Sequence, residues 1–297
     1  MKNIFITGAS GFVGKHLIDN LTKNQSFFVH TFLQTKNPKK HPSVHEISYG
    51  DIRNFESLRN AFLKGPIDTI IHLAAVIKPP KKEDYFTVNV KGTENLVRLA
   101  ETFGIKRIIF LSTDFVLYNI AHPYKESKLQ CEKIISRSNL DFIIFRPAPI
   151  YGSGDTKNFA TLISLIKKWP LFPVVKCKME PVYVGDVTKM ILAAIEYPYN
   201  CRKIYNVPGG SFNEFSEIIT TISRILKLKR LIVPIPKKIF LPLLKIYERI
   251  IPYPLLNSYQ VEKWLQNKPL DVSDIKKDFD YHPLTFEEGM NLTLKKS

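Results

Sequence analysis

Three glycines spaced three apart, Gly8, Gly11 and Gly14, constrain this chain more than any other feature. Ile4, Phe5 and Ile6 ahead of them form a short apolar run that reads as a buried parallel strand. Lys15 to Leu21 behind them continue at helical spacing. A strand, a Gly-rich turn and a helix, in that order, form the setting of a dinucleotide-binding turn. Gly8 permits a tight turn, Gly11 lets a pyrophosphate approach the backbone, and Gly14 lets the helix pack close to the strand. The helix start offers N–H groups and a positive dipole end around Ser10, Gly11, Phe12, Val13 and Gly14. A glycine-rich loop without a ligand is the alternative, and the order of elements speaks against it.

The rest of the first half repeats the theme. Strands are predicted over Phe27–Leu33, Val44–Ser48, Asp68–Leu73, Arg107–Leu111 and Asp141–Arg146, with helices from about Asn54 and over Asp84–Phe103. Alternating strands and helices predict an α/β fold, a doubly wound parallel sheet of Rossmann type. Residues 1–150 are expected to form the dinucleotide-binding domain. Residues 151–297, where prolines become frequent, form a smaller substrate-binding lobe interleaved with it. Helices are predicted there over Asn158–Lys167, Gly185–Glu196 and Asn213–Leu226, with weaker ones over Asp271–Phe279 and Phe286–Leu294.

Charge and composition narrow the partners. The net charge of +16, from 43 basic and 27 acidic residues, points to an anionic partner. No nucleic-acid motif accompanies it, so nucleic acid is not expected. Cys131, Cys177 and Cys201 are scattered without metal-ligand spacing, so no metal site is expected and a reducing compartment fits. With a strand at the N-terminus, no targeting segment is expected ahead of the fold. The expected location is cytoplasmic, or peripheral at an anionic membrane surface.

Cofactor contacts are expected at the strand ends. An acidic residue after the second strand would hold the 2′-hydroxyl of NAD. Gln34 stands there instead, followed by Lys36, Lys39 and Lys40, which favours NADP(H) and leaves NAD(H) open. Asp51 is a candidate acceptor for the adenine amino group, with the Ile52 N–H donating beside it, or else a local turn or cap residue. Ala74 and Ala75 are small enough at a strand end for a cofactor to lie on the backbone, and Leu73 before them is expected to join the contact. Asn89 faces inward and ties strand ends together.

The chemistry is expected after the Arg107–Leu111 strand, where open α/β sheets carry their sites. Ser112, Thr113 and Asp114 follow it, and Tyr124 and Lys128 stand four apart on one helix face. A lysine ammonium near a tyrosine stabilises the phenolate and brings its pKa towards working pH. A Thr113 hydroxyl could hold a substrate oxygen while hydride moves.

With these residues the chain resembles an extended short-chain dehydrogenase/reductase of the NAD-dependent epimerase/dehydratase group. The likeness runs through Thr7–Gly14, Gly50-Asp51, His72–Ala75, Asn89–Leu96, Ser112-Thr113, Tyr124 with Lys128, and Arg146–Gly152. It extends into the second half at Pro181–Val187 and Asn206–Gly210. The resemblance implies Tyr124 as general acid/base, Lys128 as its partner and Thr113 as the hydroxyl member. It also implies that Pro147 and residues after it, such as Ile150, line the nicotinamide and substrate. A homodimer through the helices after Asn89 and around Tyr124 rests on the resemblance alone. Sugar-nucleotide dehydratases of the group carry Thr-Asp-Glu; here Phe115 follows Asp114, which disfavours elimination of water. Many epimerases also place an Arg before the Val-Tyr-Val-Gly-Asp-Val segment, where this chain offers Lys176 and Lys178.

Three functions follow. The leading one is 4-keto reduction or epimerisation of a nucleotide-activated sugar, with substrate contacts at Thr113, Asp114, Ile150, Lys176 and Lys178. The second keeps the fold and takes a sterol-like or lipid-linked alcohol. The third is a non-catalytic NAD(P)-binding regulatory or assembly subunit, which an intact Thr113, Tyr124 and Lys128 argues against. The stretch 227–256 bears on the second, since its seven basic residues and single acid leave +6 among apolar residues. It reads either as a helix on an anionic membrane or, more simply, as pieces packed on the second lobe and broken by Pro242 and Pro252.

Overall fold

The computed structural model describes residues 1–23, 25–34, 44–77, 79–156, 159–198, 201–251 and 256–295. The first half delivers β1 (Lys2–Thr7), α1 (Phe12–Leu21), β2 (Phe27–Leu33), β3 (Glu46–Tyr49), α2 (Phe55–Phe62) and β4 (Thr69–His72). A π-helical turn (Tyr85–Val90) runs into α3 (Lys91–Thr102), followed by β5 (Arg107–Leu111), α4 (Pro123–Arg137) and β6 (Asp141–Pro147). The second half adds β7 (Ile150–Tyr151), α5 (Phe159–Lys168), β8 (Leu171–Val174), β9 (Lys178–Met179), β10 (Val182–Tyr183), α6 (Val184–Glu196) and β11 (Lys203–Val207). It closes with β12 (Asn213–Glu214), α7 (Phe215–Ile225), β13 (Leu231–Pro234), α8 (Lys237–Ile250), α9 (Ser258–Trp264), α10 (Ser273–Phe279) and α11 (Phe286–Lys295).

Seven strands form one sheet in the order β11-β6-β5-β4-β1-β2-β3. The pairs β1–β2, β2–β3, β1–β4, β4–β5 and β5–β6 are parallel. The chain therefore reverses its direction of travel between β1 and β4, and the carboxyl ends of those neighbours mark the crevice where such sheets bind ligands. Alternation decides the packing. Phe5, Phe32, Ile70, Ile108, Phe110, Phe142 and Ile144 face one way and pack with Leu58, Phe62, Leu96, Leu99, Cys131 and Ile135 of α2, α3 and α4. The intervening Ile4, Ile6, Val29, Ile71, Ile109 and Ile143 are buried too, as a sheet covered on both faces requires. Each such Leu, Ile or Phe contributes about 1.5–3 kcal/mol by burial.

The chain divides into two compact units, one of residues 1–117, 121–146 and 187–205, the other of 118–120, 147–186 and 206–297. The second unit has its own core, in which Tyr151, Phe159, Ile166, Phe172, Ile218, Ile222, Phe286 and Met290 meet. A smaller cluster joins Val175, Cys177, Leu244 and Val261.

Three expectations need correction. The helix expected over 84–103 opens with a π turn before it becomes regular. The third strand begins at Glu46 rather than Val44 and ends at Tyr49. The stretch containing Pro242 is one continuous helix of 14 residues, α8, with the proline inside it. Pro242 is exposed, so the backbone acceptor it leaves unbonded in the preceding turn can be met by water.

Candidate active site

The Gly-rich turn is closed to side chains where it meets the sheet. Gly8 sits at φ +79°, and a Cβ there would lie 2.5 Å from the Ala74 nitrogen and 2.6 Å from the Leu73 carbonyl carbon. At Gly14 a Cβ would stand 2.4 Å from the Gly8 oxygen and 2.7 Å from the Ala9 Cα. Gly11, by contrast, meets only the Gly8 oxygen at 3.1 Å, so its outer side is open. It is the N-cap of α1, and the first intrahelical bond runs from the Lys15 N–H back to its carbonyl at 3.0 Å. The first-turn N–H groups of Phe12, Val13 and Gly14 thus lack intrahelical acceptors. Shape and dipole together fit the pyrophosphate of a dinucleotide, with Ser10 and Gly11 exposed at the rim.

The adenosine end is less open than expected. The Asp51 carboxylate accepts from the Arg53 N–H at 2.9 Å and from its guanidinium at 2.6 and 3.0 Å, which holds it below its usual pKa. Gln34 Nε2 donates to the same carboxylate at 3.3 Å. Asp51 is thus already engaged locally, beside the exposed guanidinium of Arg53. Ile52 is buried against Gly92, where a Cβ would meet its side chain at 2.4 Å. Lys36 lies outside the described residues.

Beneath the turn, buried polar groups join into one chain whose donors can be assigned. Thr93 Oγ1 donates to the Asn89 carbonyl at 2.6 Å, so it accepts from His72 Nε2 at 3.0 Å. His72 Nδ1 then accepts from Thr7 Oγ1 at 2.7 Å, and Thr7 Oγ1 accepts from the Ala74 N–H at 3.4 Å. Burial pushes the His72 pKa down to about 3, with the Lys128 charge acting the same way. Asn89 is buried, and its amide is fully used. It accepts from the Val76 N–H at 2.8 Å and donates to the Val76 carbonyl at 3.2 Å and to Ser127 Oγ at 3.0 Å. Ser127 in turn donates to the Tyr124 carbonyl at 2.8 Å. The loop after β4 and the helix carrying Tyr124 are thereby tied through one side chain.

Lys128 is buried on α4 and reaches the end of β5. Its Nζ donates to the Leu111 carbonyl at 2.7 Å and lies 4.0 Å above the centre of the Phe110 ring. Burial lowers its pKa to about 8, against smaller opposing effects of Cys131 and Glu132. Tyr124 stands one helical turn earlier, at the open first turn of α4, where His122 Nδ1 accepts from its N–H at 3.1 Å. Its ring lies 6.1 Å from that of Tyr85. Thr113 stands two residues past the end of β5; its Oγ1 accepts from the Phe115 N–H at 3.2 Å, and Asp114 and Phe115 are buried. In the first unit Lys128 therefore reaches the carboxyl end of β5, with Thr113 two residues beyond that strand and Tyr124 one turn earlier on α4.

Residues that the sequence reading passed over hold this arrangement. Glu132, a further turn along α4, accepts from Ser112 Oγ at 2.5 Å and from Arg146 Nε and Nη2 at 3.0 and 2.5 Å. It is buried, and the paired guanidinium and hydroxyl are what make a carboxylate tolerable there. The i, i+4, i+8 spacing of Tyr124, Lys128 and Glu132 was the available signal. In the second unit, Pro147 is buried, Ile150 lies on β7, Lys176 is exposed and Lys178 lies on β9 with its Nζ 5.4 Å from the centre of the Phe212 ring.

A seven-stranded sheet with its glycine turn at the switch point, and Tyr124 and Lys128 at the neighbouring strand end, defines a dinucleotide-binding enzyme of the extended short-chain dehydrogenase/reductase type. The model of the NAD dependent epimerase/dehydratase family matches residues 4–208, and the chain belongs to that family. It is 26% identical to a UDP-glucose 4-epimerase of Vibrio cholerae over 98% of this chain and 94% of the relative. It is 25% identical to an N-acetyl-alpha-D-glucosaminyl-diphospho-ditrans,octacis-undecaprenol 4-epimerase of Escherichia coli O157:H7, over 99% and 94%. Among solved structures, a UDP-glucose 4-epimerase from Thermotoga maritima with UDP-glucose superposes with a TM-score of 0.77, at 19% identity, over 99% of this chain and 97% of that one.

Proposed function

We propose that the protein performs NAD(P)-dependent oxidoreduction at a carbinol or ketone carbon of a nucleotide-activated sugar, by 4-keto reduction or by epimerisation. The observation that supports this reading is the buried Lys128 ammonium, one turn along α4 from Tyr124, on the carbonyl of Leu111 at the end of β5, two residues before Thr113. Gly8 to Gly14 would hold the pyrophosphate, Asp51 and Ile52 the adenine, and Leu73 to Ala75 the backbone-facing side of the cofactor. The nicotinamide, when bound, supplies hydride exchange with carbon. Tyr124 moves the proton at the substrate oxygen, giving it in reduction and taking it in oxidation. Lys128 favours the phenolate and Thr113 donates to the same oxygen. Phe115 offers no carboxylate for elimination, so loss of water is not proposed.

NADP(H) is the favoured cofactor in this reading. Gln34 is neutral where an acidic residue at the end of β2 would repel a 2′-phosphate, and Lys36, Lys39 and Lys40 follow it in the sequence. Ile150, Lys176 and Lys178 are proposed as substrate contacts, and α3 with α4 as a homodimer contact.

A second reading places the same chemistry on a lipid-linked alcohol. It is favoured by the exposed apolar residues of α8 and by a relative named for an undecaprenol-linked sugar. The test is an assay of UDP- and dTDP-sugars against an undecaprenyl diphosphate sugar, with NADPH and NADH separately. Turnover of a nucleotide sugar is the expected result. Turnover confined to the lipid-linked sugar would replace the leading reading with the second, and turnover of neither would contradict both.

A further inference from the structure

Helix α8 has two apolar faces, and among the described residues only one of them is packed. Phe240, Leu241, Leu244 and Tyr247 turn inward onto the cluster around Val175, Cys177 and Val261. Ile239, Leu243, Ile246 and Ile250, spaced four, three and four apart, fall on one opposite stripe at 3.6 residues per turn. They are 54%, 56%, 51% and 69% exposed. Four large aliphatic side chains in a row, each more than half open to water, exceed the scattered exposure of an ordinary surface.

The charges beside the stripe identify its occupant. Lys238, Lys245 and Arg249 line one edge of α8 and are all exposed. Lys245 also pairs with Glu262 at 3.4 Å. The helix's single acid, Glu248, points away from the stripe and accepts from the Ser258 N–H at 2.5 Å. Lys237 adds a further exposed charge at the helix start, and the chain as a whole carries +16. A second copy packed on the same stripe would bring these basic edges together, whereas an anionic surface would neutralise them. The helix is about 21 Å long at 1.5 Å per residue. Among the described residues no helix is long and apolar enough to cross a membrane. An apolar stripe with a basic margin is the build of a helix that lies in the plane of a lipid interface.

We propose that α8 docks this protein on an anionic lipid bilayer, with Ile239, Leu243, Ile246 and Ile250 entering the acyl boundary and Lys238, Lys245 and Arg249 meeting the headgroups. The contact does not depend on which substrate the site takes.

The test is co-sedimentation of the full chain with vesicles of phosphatidylcholine alone or mixed with phosphatidylglycerol. The wild type is expected on the mixed vesicles and in the supernatant with pure phosphatidylcholine. L243E/I246E is expected to lose the mixed vesicles at an unchanged melting temperature. K238E/R249E is expected to weaken binding about fivefold per charge removed, the effect growing at low salt. A wild type that stays in the supernatant with both vesicles overturns the proposal, as does binding that L243E/I246E leaves unchanged. Sedimentation velocity without vesicles separates the rival occupant: self-association abolished by L243E/I246E, without vesicle binding, would assign the stripe to a second copy.

Discussion

The Lys128 ammonium donates to the Leu111 carbonyl oxygen at 2.7 Å from a fully buried position, two residues before Thr113. A lysine is expensive to bury, and this one gives up part of its basicity, its pKa falling to about 8. Stability is thereby exchanged for a cation at the strand end where the proposed site lies.

That exchange can be measured. The unfolded lysine titrates near 10.4, so between about pH 8 and 10.4 the unfolded chain holds more protons, and stability rises with pH across that window. At pH 7 the charged lysine works against folding. Lys128→Met should therefore be as stable as the wild type or up to about 3 kcal/mol more stable, while losing most turnover. Urea unfolding with a parallel assay checks both. A variant that is destabilised and still active would contradict the assignment.

Glu132 and Arg146 make the opposite bargain. Glu132→Ala leaves a guanidinium and the Ser112 hydroxyl without their acceptor, and should cost about 3–5 kcal/mol. The double variant E132L/R146M should recover a good part of that loss, because no unpaired charge remains. Thermal unfolding of the single and double variants gives the coupling; strict additivity would show that the pair is not a unit.

Much of this architecture is legible in the sequence, for identifiable reasons. Phe27–Leu33 and Arg107–Leu111 have the predicted bounds because strands buried on both faces are near-continuous apolar runs, here broken only by His30 and Thr31 in the first and Arg107 at the start of the second. The glycine turn is legible because Gly8 and Gly14 touch backbone, which leaves no alternative residue. Two-residue strands such as β9 and β12 are illegible, since their pairing is decided by partners more than 30 residues away. α8 was obscured by Pro242, whose usual penalty is reduced where the helix is exposed. Glu132 was obscured differently: a glutamate on a helix reads as surface until Arg146 and Ser112 are seen beside it. Tyr124 and Lys128 were legible through spacing, but the cap from His122 was not, since histidine is uncommon at that position.

His72 should make the fold sensitive to acid. Its folded pKa of about 3 lies below the unfolded value of 6.5, so the unfolded chain takes up the proton first. Stability is complete above pH 6.5 and is lost as pH falls towards 3, at up to about 1.4 kcal/mol per pH unit. His30, pushed down to about 4 mainly by burial, acts with the same sign. Urea midpoints at pH 7.5 and 5.5 should fall accordingly, while the His72 ring proton stays unshifted by NMR. A ring that titrates near 6.5 would contradict the hydrogen-bond chain through Thr7 and Thr93.

Two glycines with positive φ should answer differently to alanine. Gly104, at φ +66°, has no atom within 4 Å of a Cβ, so Gly104→Ala should cost only the left-handed strain of about 1–2 kcal/mol and leave cofactor binding alone. Gly8→Ala, at φ +79°, adds a collision with the Ala74 backbone and should abolish NAD(P)H binding as well. Nicotinamide fluorescence and melting temperature read the two effects separately. Equal loss of cofactor binding in both variants would contradict the placement of the pyrophosphate.

The central claim is that Tyr124 moves the proton at the substrate oxygen. The most direct measurement is Tyr124→Phe, with kcat read on a turned-over sugar and cofactor binding read by the rise in melting temperature that NADPH or NADH produces. The expected result is a fall in kcat of about 10²–10⁴-fold with cofactor binding retained. Turnover at the wild-type rate would contradict the account.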